Sequence, residues 1–99
     1  MEDFDNIIAQ NKPTLVDFFA TWCGPCQRQG PILDEVKAQV GESANIVKID
    51  VDKNKRLAAQ YNVRSVPTLI VFVAGEAVWR DSGLHTKDQI VAKLREFQK

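Results

Sequence analysis

The sequence predicts an α/β protein with a mixed four-stranded sheet and helices on both of its faces. Helical and strand-like patterns alternate along the first part of the 99 residues. A continuous apolar run, a tight turn, a second strand-like run and an amphipathic helix follow. Alternation favours parallel strands and a tight turn favours an antiparallel pair. We therefore predict a single domain over residues 1–99, with the element order αβαβαββα.

The first helix and the first strand are separated by a proline. Apolar residues recur at helical spacing in EDFDNIIAQ, where Asp3 is a candidate N-cap, and Lys12-Pro13 ends this pattern. TLVDFFA (14–20) is apolar at every position except Thr14 and Asp17. A run that is apolar on both faces is typical of a central strand that is covered on both sides.

The second helix and second strand follow. From Cys23 to Val40 apolar residues recur along one side of a helix, and Gly41 is suited to ending it. Pro31 lies inside this helix and is expected to kink it. NIVKIDV (45–51) alternates apolar and polar residues, which predicts a strand with one less apolar face.

The second half of the chain predicts a short helix, a hairpin and a last helix. The short helix covers 53–61, and Asn62 can end it. TLIVFVA (68–74) predicts a strand that turns at 74–76 into an antiparallel partner over 77–82. Thr86 and Gln89 then have the spacing of a capping box, and an apolar stripe follows: Ile90, Val91, Leu94 and Phe97.

Composition and charge exclude several classes of function. The chain has 13 Lys and Arg against 13 Asp and Glu, so its formal net charge is zero. A nucleic-acid-binding domain would have a basic excess, and so would a surface that binds anionic membranes. The N-terminus has no apolar signal core, and no apolar run approaches the roughly 20 residues of a membrane helix. We expect a cytoplasmic protein that binds neither nucleic acid nor membrane.

The two cysteines of the chain, Cys23 and Cys26, lie three residues apart at a predicted helix start. This spacing lets the pair form a disulfide with little backbone movement. The unpaired amides and the dipole of a helix N-terminus favour a thiolate at Cys23. Pro25 suits a first helical turn because it has no N–H to pair, and Gly24 lets the chain turn closely beneath a substrate. We expect Cys23 to be exposed and to attack a disulfide, and Cys26 to be shielded and to resolve the intermediate.

A purely structural role or a metal site would account for the cysteine pair less well. A structural disulfide that closes so short a loop would constrain the unfolded chain little. A zinc site needs about four ligands, whereas the chain offers two thiols and one imidazole, that of His85. We therefore expect no metal, although a metal shared between two chains stays open, and we expect His85 to be a residue of a surface loop.

Three segments, VDFFATWCGPC, SVPTLIVF and SGLHT, resemble the thioredoxin family. The resemblance covers nearly the whole chain, and WCGPC followed by a separate VPT is a specific combination. It implies a thioredoxin-like fold and reduction of protein disulfides, with Cys23 as the nucleophile and Cys26 as the resolving thiol. It also implies re-reduction by an NADPH-dependent flavoprotein, thioredoxin reductase. The chain itself would need no cofactor.

The resemblance also assigns roles to residues around the thiols. Asp17 would accept the proton of Cys26, and Lys48 would tune this buried carboxylate; alternatively, a lysine only satisfies its charge. Val66 would offer backbone groups to an extended substrate beside Pro67, which the family holds in the cis form. The flat apolar surface for the substrate would consist of Trp22, Gly24, Pro25, Gly83 and Leu84. We expect Trp79 to be structural.

The sequence departs from the family pattern at several places. Phe19 stands where a tryptophan is common, and Gln27 stands where a lysine is common. No counterpart of the family's first strand precedes the first helix. Strand 45–51 should therefore be a sheet edge, protected by its charged residues or by the N-terminal helix folding over it. We expect a monomer, with a weak edge-to-edge dimer as the alternative.

Two further functions compete with that of a disulfide reductase. The first is a disulfide oxidase or isomerase, whose relatives usually have a histidine between the cysteines, where this chain has Gly24 and Pro25. The second is a binding module that serves as a subunit of a larger enzyme. An apolar surface near Cys23 would suit such a module equally well.

Overall fold

The structure is a computed structural model that describes residues 2–98, and its elements follow the predicted order. The helices in this range are α1 (Glu2–Ile8), α2 (Gly24–Val40), α3 (Lys55–Gln60) and α4 (Lys87–Phe97). The strands are β1 (Thr14–Phe19), β2 (Asn45–Asp50), β3 (Thr68–Val73) and β4 (Glu76–Ser82). A single 3-10 turn, Gly41–Ser43, follows α2.

The strands of the described chain form one mixed sheet in the order β2-β1-β3-β4. β1 pairs in parallel with β2 and antiparallel with β3, and β3 pairs antiparallel with β4. The prediction of a four-stranded mixed sheet is confirmed, and β2 lies at one edge of it. In the register of β1, Asp17 lies between Lys48 on β2 and Leu69 on β3.

Alternating side chains of the central strands form two apolar cores, one on each face of the sheet. On one face, Leu15, Leu69 and Val71 pack against α2 and α4. The buried partners on these helices are Leu33, Val36, Ile90, Val91 and Leu94. On the other face, Val16, Phe18, Ile70 and Phe72 pack against α1 and α3. The buried partners on these helices are Phe4, Ile8 and Leu57. β1 and β3 are buried along almost their whole length, as the apolar runs predicted.

The ends of the helices agree with the sequence at three points and differ at one. Asn62 has a φ of 54° just beyond α3, a left-handed conformation that asparagine tolerates. Thr86 and Gln89 form the predicted capping box of α4, and Gly41 follows the last residue of α2. The N-cap prediction for Asp3 is wrong, because Asp3 already lies inside α1.

Helix α1 does not fold over the β2 edge. Phe4 is fully buried on one face of the sheet, where its ring packs edge-on against Phe72 at 5.8 Å. At the end of the helix and just beyond it, the carbonyls of Ile8 and Gln10 accept hydrogen bonds from the β3–β4 turn at 2.9 and 2.8 Å. Burial of its apolar stripe therefore fixes α1 on the face of the sheet and directs its end towards the hairpin, away from β2.

Candidate active site

The two cysteines lie at the start of α2. Cys23 is the N-cap residue, and its Sγ accepts a hydrogen bond from the backbone N–H of Cys26 at 3.2 Å. The Cα atoms are 5.2 Å apart and the sulfurs are joined as a disulfide. The helix start thus holds both sulfurs together and directs at least one amide dipole at Cys23 Sγ, which favours negative charge there.

The surroundings of the two sulfurs differ, whereas their exposure does not. Cys23 is 6% exposed and Cys26 is 5% exposed, so the expectation of an exposed Cys23 above a shielded Cys26 is wrong in this oxidised form. Both side chains pack against Ala20. Cys23 Sγ lies 3.6 Å from the carbonyl oxygen of Val66, whereas Cys26 lines a cavity.

This cavity of about 330 Å³ is also lined by Asp17. Its other lining residues are Phe19, Ala20, Thr21, Cys26, Gln27, Gly30 and Lys48. Asp17 is 2% exposed, and its Oδ1 atom has no hydrogen-bond partner among residues 2–98. Burial raises the pKa of Asp17 to about 6, and the charge of Lys48 opposes part of this rise.

Lys48 lies beside Asp17 in the sheet register, but its ammonium group is bound elsewhere. Its Nζ atom forms an ion pair with Asp34 at 3.2 Å and a long hydrogen bond of 3.5 Å to the carbonyl of Gly30. The alternative that a lysine simply satisfies the buried carboxylate therefore does not hold at Asp17 Oδ1. Lys48 acts on Asp17 through its charge across the cavity.

The residues predicted for the substrate surface surround the disulfide on its outer side. Trp22 is 71% exposed, and its indole N–H donates to Asp52 at 2.9 Å, which fixes the ring. Gly24 and Pro25 are exposed. An added Cβ at Gly24 would meet no atom within 4 Å, so packing within the chain does not require a glycine there.

The second side of this surface comes from the segments 66–67 and 83–84. The Val66–Pro67 peptide bond is cis, as the resemblance implies. Gly83 has a φ of 93°, a conformation that favours glycine, and its N–H donates to the carbonyl of Pro67 at 2.9 Å. Leu84, 43% exposed, follows directly. The hydrogen bond between Gly83 and Pro67 connects the two segments, and Val66 lies next to Cys23.

A groove of about 170 Å³ lies between Trp22 and Val66, and the sequence did not predict its lining in full. Arg64 and Ser65 line it, with Val51 and Val63. The proximity of Arg64 and Ser65 to Val66 in the chain could have indicated them.

His85 lies in the loop between β4 and α4, as predicted, but its side chain does not point to the surface. Its side chain is only 12% exposed and packs edge-on against Trp79 at 5.7 Å between ring centroids. Its ring nitrogens lie 2.9 Å from Asp81 Oδ2 and 2.8 Å from the carbonyl of Gly83. The carboxylate of Asp81 accepts from this ring, and the bond lowers the pKa of Asp81. Trp79 is structural, as predicted, because it packs against the core below α4.

Two further properties concern ligands and membranes. Among residues 2–98, His, Cys, Asp and Glu side chains form no group of three or more that could hold a metal ion. The helices in this range are all too short or too polar to cross a membrane.

Comparison with known proteins agrees with this geometry. The Thioredoxin family model matches residues 1–96. A thioredoxin of Staphylococcus epidermidis is 46% identical over 93% of this chain and 88% of its own length. A bifunctional thioredoxin reductase/thioredoxin of Mycobacterium leprae is 39% identical over 94% of this chain and 20% of its own length. The structure of a mutant thioredoxin from Halobacterium salinarum superposes with a TM-score of 0.92, at 37% identity, over 100% of this chain and 86% of that one.

A mixed sheet with a Cys-x-x-Cys disulfide at the start of a covering helix defines a thiol–disulfide oxidoreductase. The chain belongs to the thioredoxin family, as the family model and its relatives show.

Proposed function

We propose that the protein reduces disulfide bonds in other proteins, with Cys23 as the nucleophile and Cys26 as the resolving thiol. The hydrogen bond from the Cys26 amide to Cys23 Sγ is the observation that supports this assignment best. In the reduced protein the same amide and the dipole of the 17-residue helix α2 would stabilise a Cys23 thiolate. No comparable donor reaches Cys26 Sγ among the hydrogen bonds of residues 2–98.

The exchange takes place in two steps. The Cys23 thiolate attacks one sulfur of the substrate disulfide, a Cys23–substrate disulfide forms, and the other substrate sulfur leaves as a thiolate that takes up a proton. Cys26 then loses its proton and attacks Cys23 Sγ, which releases the second substrate thiolate. Two electrons pass to the substrate, and the protein ends with the Cys23–Cys26 disulfide.

Asp17 accepts the proton of Cys26 in the second step, directly or through water in the shared cavity. Its pKa of about 6 supports this role, because the carboxylate is mostly ionised at pH 7 and still basic enough to take a proton. Lys48 keeps that pKa from rising further through its positive charge. The role of Lys48 is therefore to tune the pKa of Asp17.

Protein substrates bind across the surface around Cys23. An extended segment would pair with the backbone of Val66 beside the cis Pro67, in the manner of strand addition. Trp22, Pro25 and Leu84 would supply apolar contacts, and Gly24 and Gly83 would leave room for the substrate backbone. The open space above Gly24 and the large exposed fractions of Trp22 and Leu84 support this arrangement.

Thioredoxin reductase would return electrons to the oxidised protein, which needs no cofactor of its own. The Mycobacterium leprae relative, which joins a thioredoxin reductase to a thioredoxin in one chain, supports this partnership. A cytoplasmic location would allow the Cys23–Cys26 disulfide to be reduced again after each turnover, because reductants maintain thiols there. We also propose that the protein works as a monomer.

An insulin precipitation assay with dithiothreitol as the regenerating dithiol tests the function. The wild-type protein should accelerate precipitation well above dithiothreitol alone, and Cys23→Ser should not. A wild-type protein that gave no acceleration would favour a binding module. Equilibration with glutathione separates reductase from oxidase: a reductase stays in the disulfide form against a large excess of reduced glutathione, whereas an oxidase becomes reduced.

A further inference from the structure

Gln29 is a buried polar residue on an otherwise apolar side of α2. Its side chain is fully buried, although the neighbouring buried positions of this helix are Cys26, Leu33 and Val36. Burying a primary amide is unfavourable unless both its oxygen and its nitrogen are hydrogen-bonded. The partners of Gln29 therefore indicate what this position is for.

Both partners belong to the backbone of His85, 56 residues away in the chain. The Nε2 atom of Gln29 donates to the carbonyl of His85 at 3.1 Å, and the N–H of His85 donates to Oε1 at 2.9 Å. One side chain thus bonds both polar groups of one residue, as a neighbouring strand would. This pair of bonds ties the loop 83–86 to α2, one helical turn beyond Cys26.

The same loop presents Gly83 and Leu84, which belong to the proposed substrate surface. Its other attachments include the bond from the Gly83 N–H to Pro67, the contacts of the His85 ring with Asp81 and Trp79, and the capping box of Thr86. These attachments fix the loop to the hairpin, to the start of β3 and to the start of α4. The Gln29 bonds add the connection to the helix that holds both cysteines.

We propose that Gln29 is a positioning residue that sets the affinity for protein substrates by fixing the loop 83–86 relative to the cysteine pair. The inference rests on the proposed function of the surface around Cys23. A large substrate touches both the loop and Cys23, so its binding depends on their relative position. A small disulfide touches Cys23 and has no need of Leu84.

Two substitutions separate positioning from simple structural support. Gln29→Met keeps the length and approximate volume of the side chain and removes both hydrogen bonds. Gln29→Glu keeps both bonds only while the new carboxyl group is protonated, because an ionised carboxylate repels the carbonyl of His85. Gln39→Met, on the exposed side of the same helix, is the matched control.

The test compares insulin with hydroxyethyl disulfide as substrates. We expect Gln29→Met to raise KM for insulin about five- to tenfold, the factor for losing a net hydrogen bond or somewhat more, with kcat nearly unchanged. The kcat/KM for hydroxyethyl disulfide should stay within about twofold of wild type, as should both values for Gln39→Met. Equal losses on the two substrates, or an unchanged KM for insulin, would refute the positioning role.

The pH profile of Gln29→Glu gives a second, independent measurement, which also decides the question if Gln29→Met does not fold. Burial raises a carboxyl pKa, so the variant should approach wild-type KM for insulin at low pH and depart from it as pH rises. The ratio of variant to wild-type KM cancels the titration of Cys23. A ratio that does not change with pH would contradict the proposal. If wild-type protein reduces neither substrate, the proposed function itself fails.

Discussion

At the scale of single residues, Asp17 is the group whose burial is least compensated. It lies on the central strand β1, its side chain lines the cavity beside Cys26, and Oδ1 has no partner among residues 2–98. Lys48, the cation whose charge lowers the pKa of Asp17, is bound to Asp34 on the solvent side. The burial of Asp17 is therefore unfavourable for folding, and carboxylates with raised pKa values are common at sites of proton transfer, the role that we propose for this residue.

We predict that Asp17→Ala stabilises the fold and slows the resolving step. The folded pKa of about 6 lies above the ordinary value of 3.8, so the ionised form is disfavoured in the folded state. Wild-type stability should fall as pH rises between about 4 and 6, by on the order of 2–3 kcal/mol, and the variant should lack this fall. Denaturant midpoints across this range measure it.

The matched control for this prediction is Asp34→Ala. Asp34 is an exposed carboxylate that binds the same lysine, so its removal should change stability by less than about 1 kcal/mol. An Asp17→Ala protein that is less stable than wild type at neutral pH would contradict the proposed role of the buried carboxylate. So would an unchanged rate of mixed-disulfide resolution.

The site residues that the sequence predicted are those whose role depends on neighbouring positions in the chain. Cys23 and Cys26 have a spacing that specifies their contact, and Asp17 is a charged residue inside an apolar strand. The contact between Gln29 and His85 was missed because the two residues lie 56 positions apart in the chain. Gln29 does fall on the apolar stripe of α2, at helical spacing from Cys26 and Leu33, and a polar residue there was an available indication.

At the scale of elements, β2 is an edge strand with one side paired. The N–H of Asn45 donates to the carbonyl of Pro13, and that of Val51 donates to Phe19, both at 2.9 Å. In a parallel pair the amides of one strand point alternately towards and away from the partner. The amides of Val47 and Ile49 therefore face β1, and those of Ile46, Lys48 and Asp50 face outwards.

This geometry predicts an alternating pattern of amide exchange along β2. Exchange at Val47, Ile49 and Val51 should be slow, and exchange at Ile46, Lys48 and Asp50 should be markedly faster, because no strand of the described chain pairs with that side. The measurement is hydrogen exchange followed by NMR on dilute protein. Uniformly slow exchange along the whole strand would mean that another segment or a second chain covers the edge.

Element order was predictable because each element has its own local pattern and terminators. The periodicity of α2, the apolar runs of β1 and β3, and the capping box of α4 all lie within one stretch of sequence. The placement of α1 was not predictable in this way. Its position depends on Phe4 reaching the aromatic cluster with Tyr61 and Phe72, which joins three distant parts of the chain.

At the scale of the whole molecule, two cores share one sheet, and the active site lies at one end of it. The cysteine pair starts α2 directly after β1, and the cis Val66–Pro67 bond precedes β3, which is the neighbour of β1. Adjacent strand ends thus bring the helix start and the cis proline together. The position of the candidate site therefore follows from the strand order of the sheet. The local sequence patterns predicted the order of the elements along the chain, and this order places the cysteine pair directly after β1 and the cis proline directly before β3.

We predict that the protein remains monomeric at micromolar to millimolar concentrations. Lys48 and Asp50 put charges along the β2 edge, and such charges oppose pairing with another chain. β4, at the other edge, is largely exposed and contains Glu76, Arg80 and Asp81. Sedimentation velocity across a concentration series should give the mass of one chain throughout. A rise towards the mass of two chains would favour the edge-to-edge dimer.

Trapping of mixed disulfides is the direct test of whether Cys23 attacks and Cys26 resolves. Reduced Cys26→Ser and Cys23→Ser proteins are incubated with native insulin, whose disulfide bonds are intact. The reactions are quenched with acid and examined by intact-mass spectrometry without reductant. We expect a stable covalent complex through Cys23 in Cys26→Ser and little or none in Cys23→Ser. Equal trapping by the two variants, or preferential trapping through Cys26, would show that the roles of the two thiols are assigned wrongly.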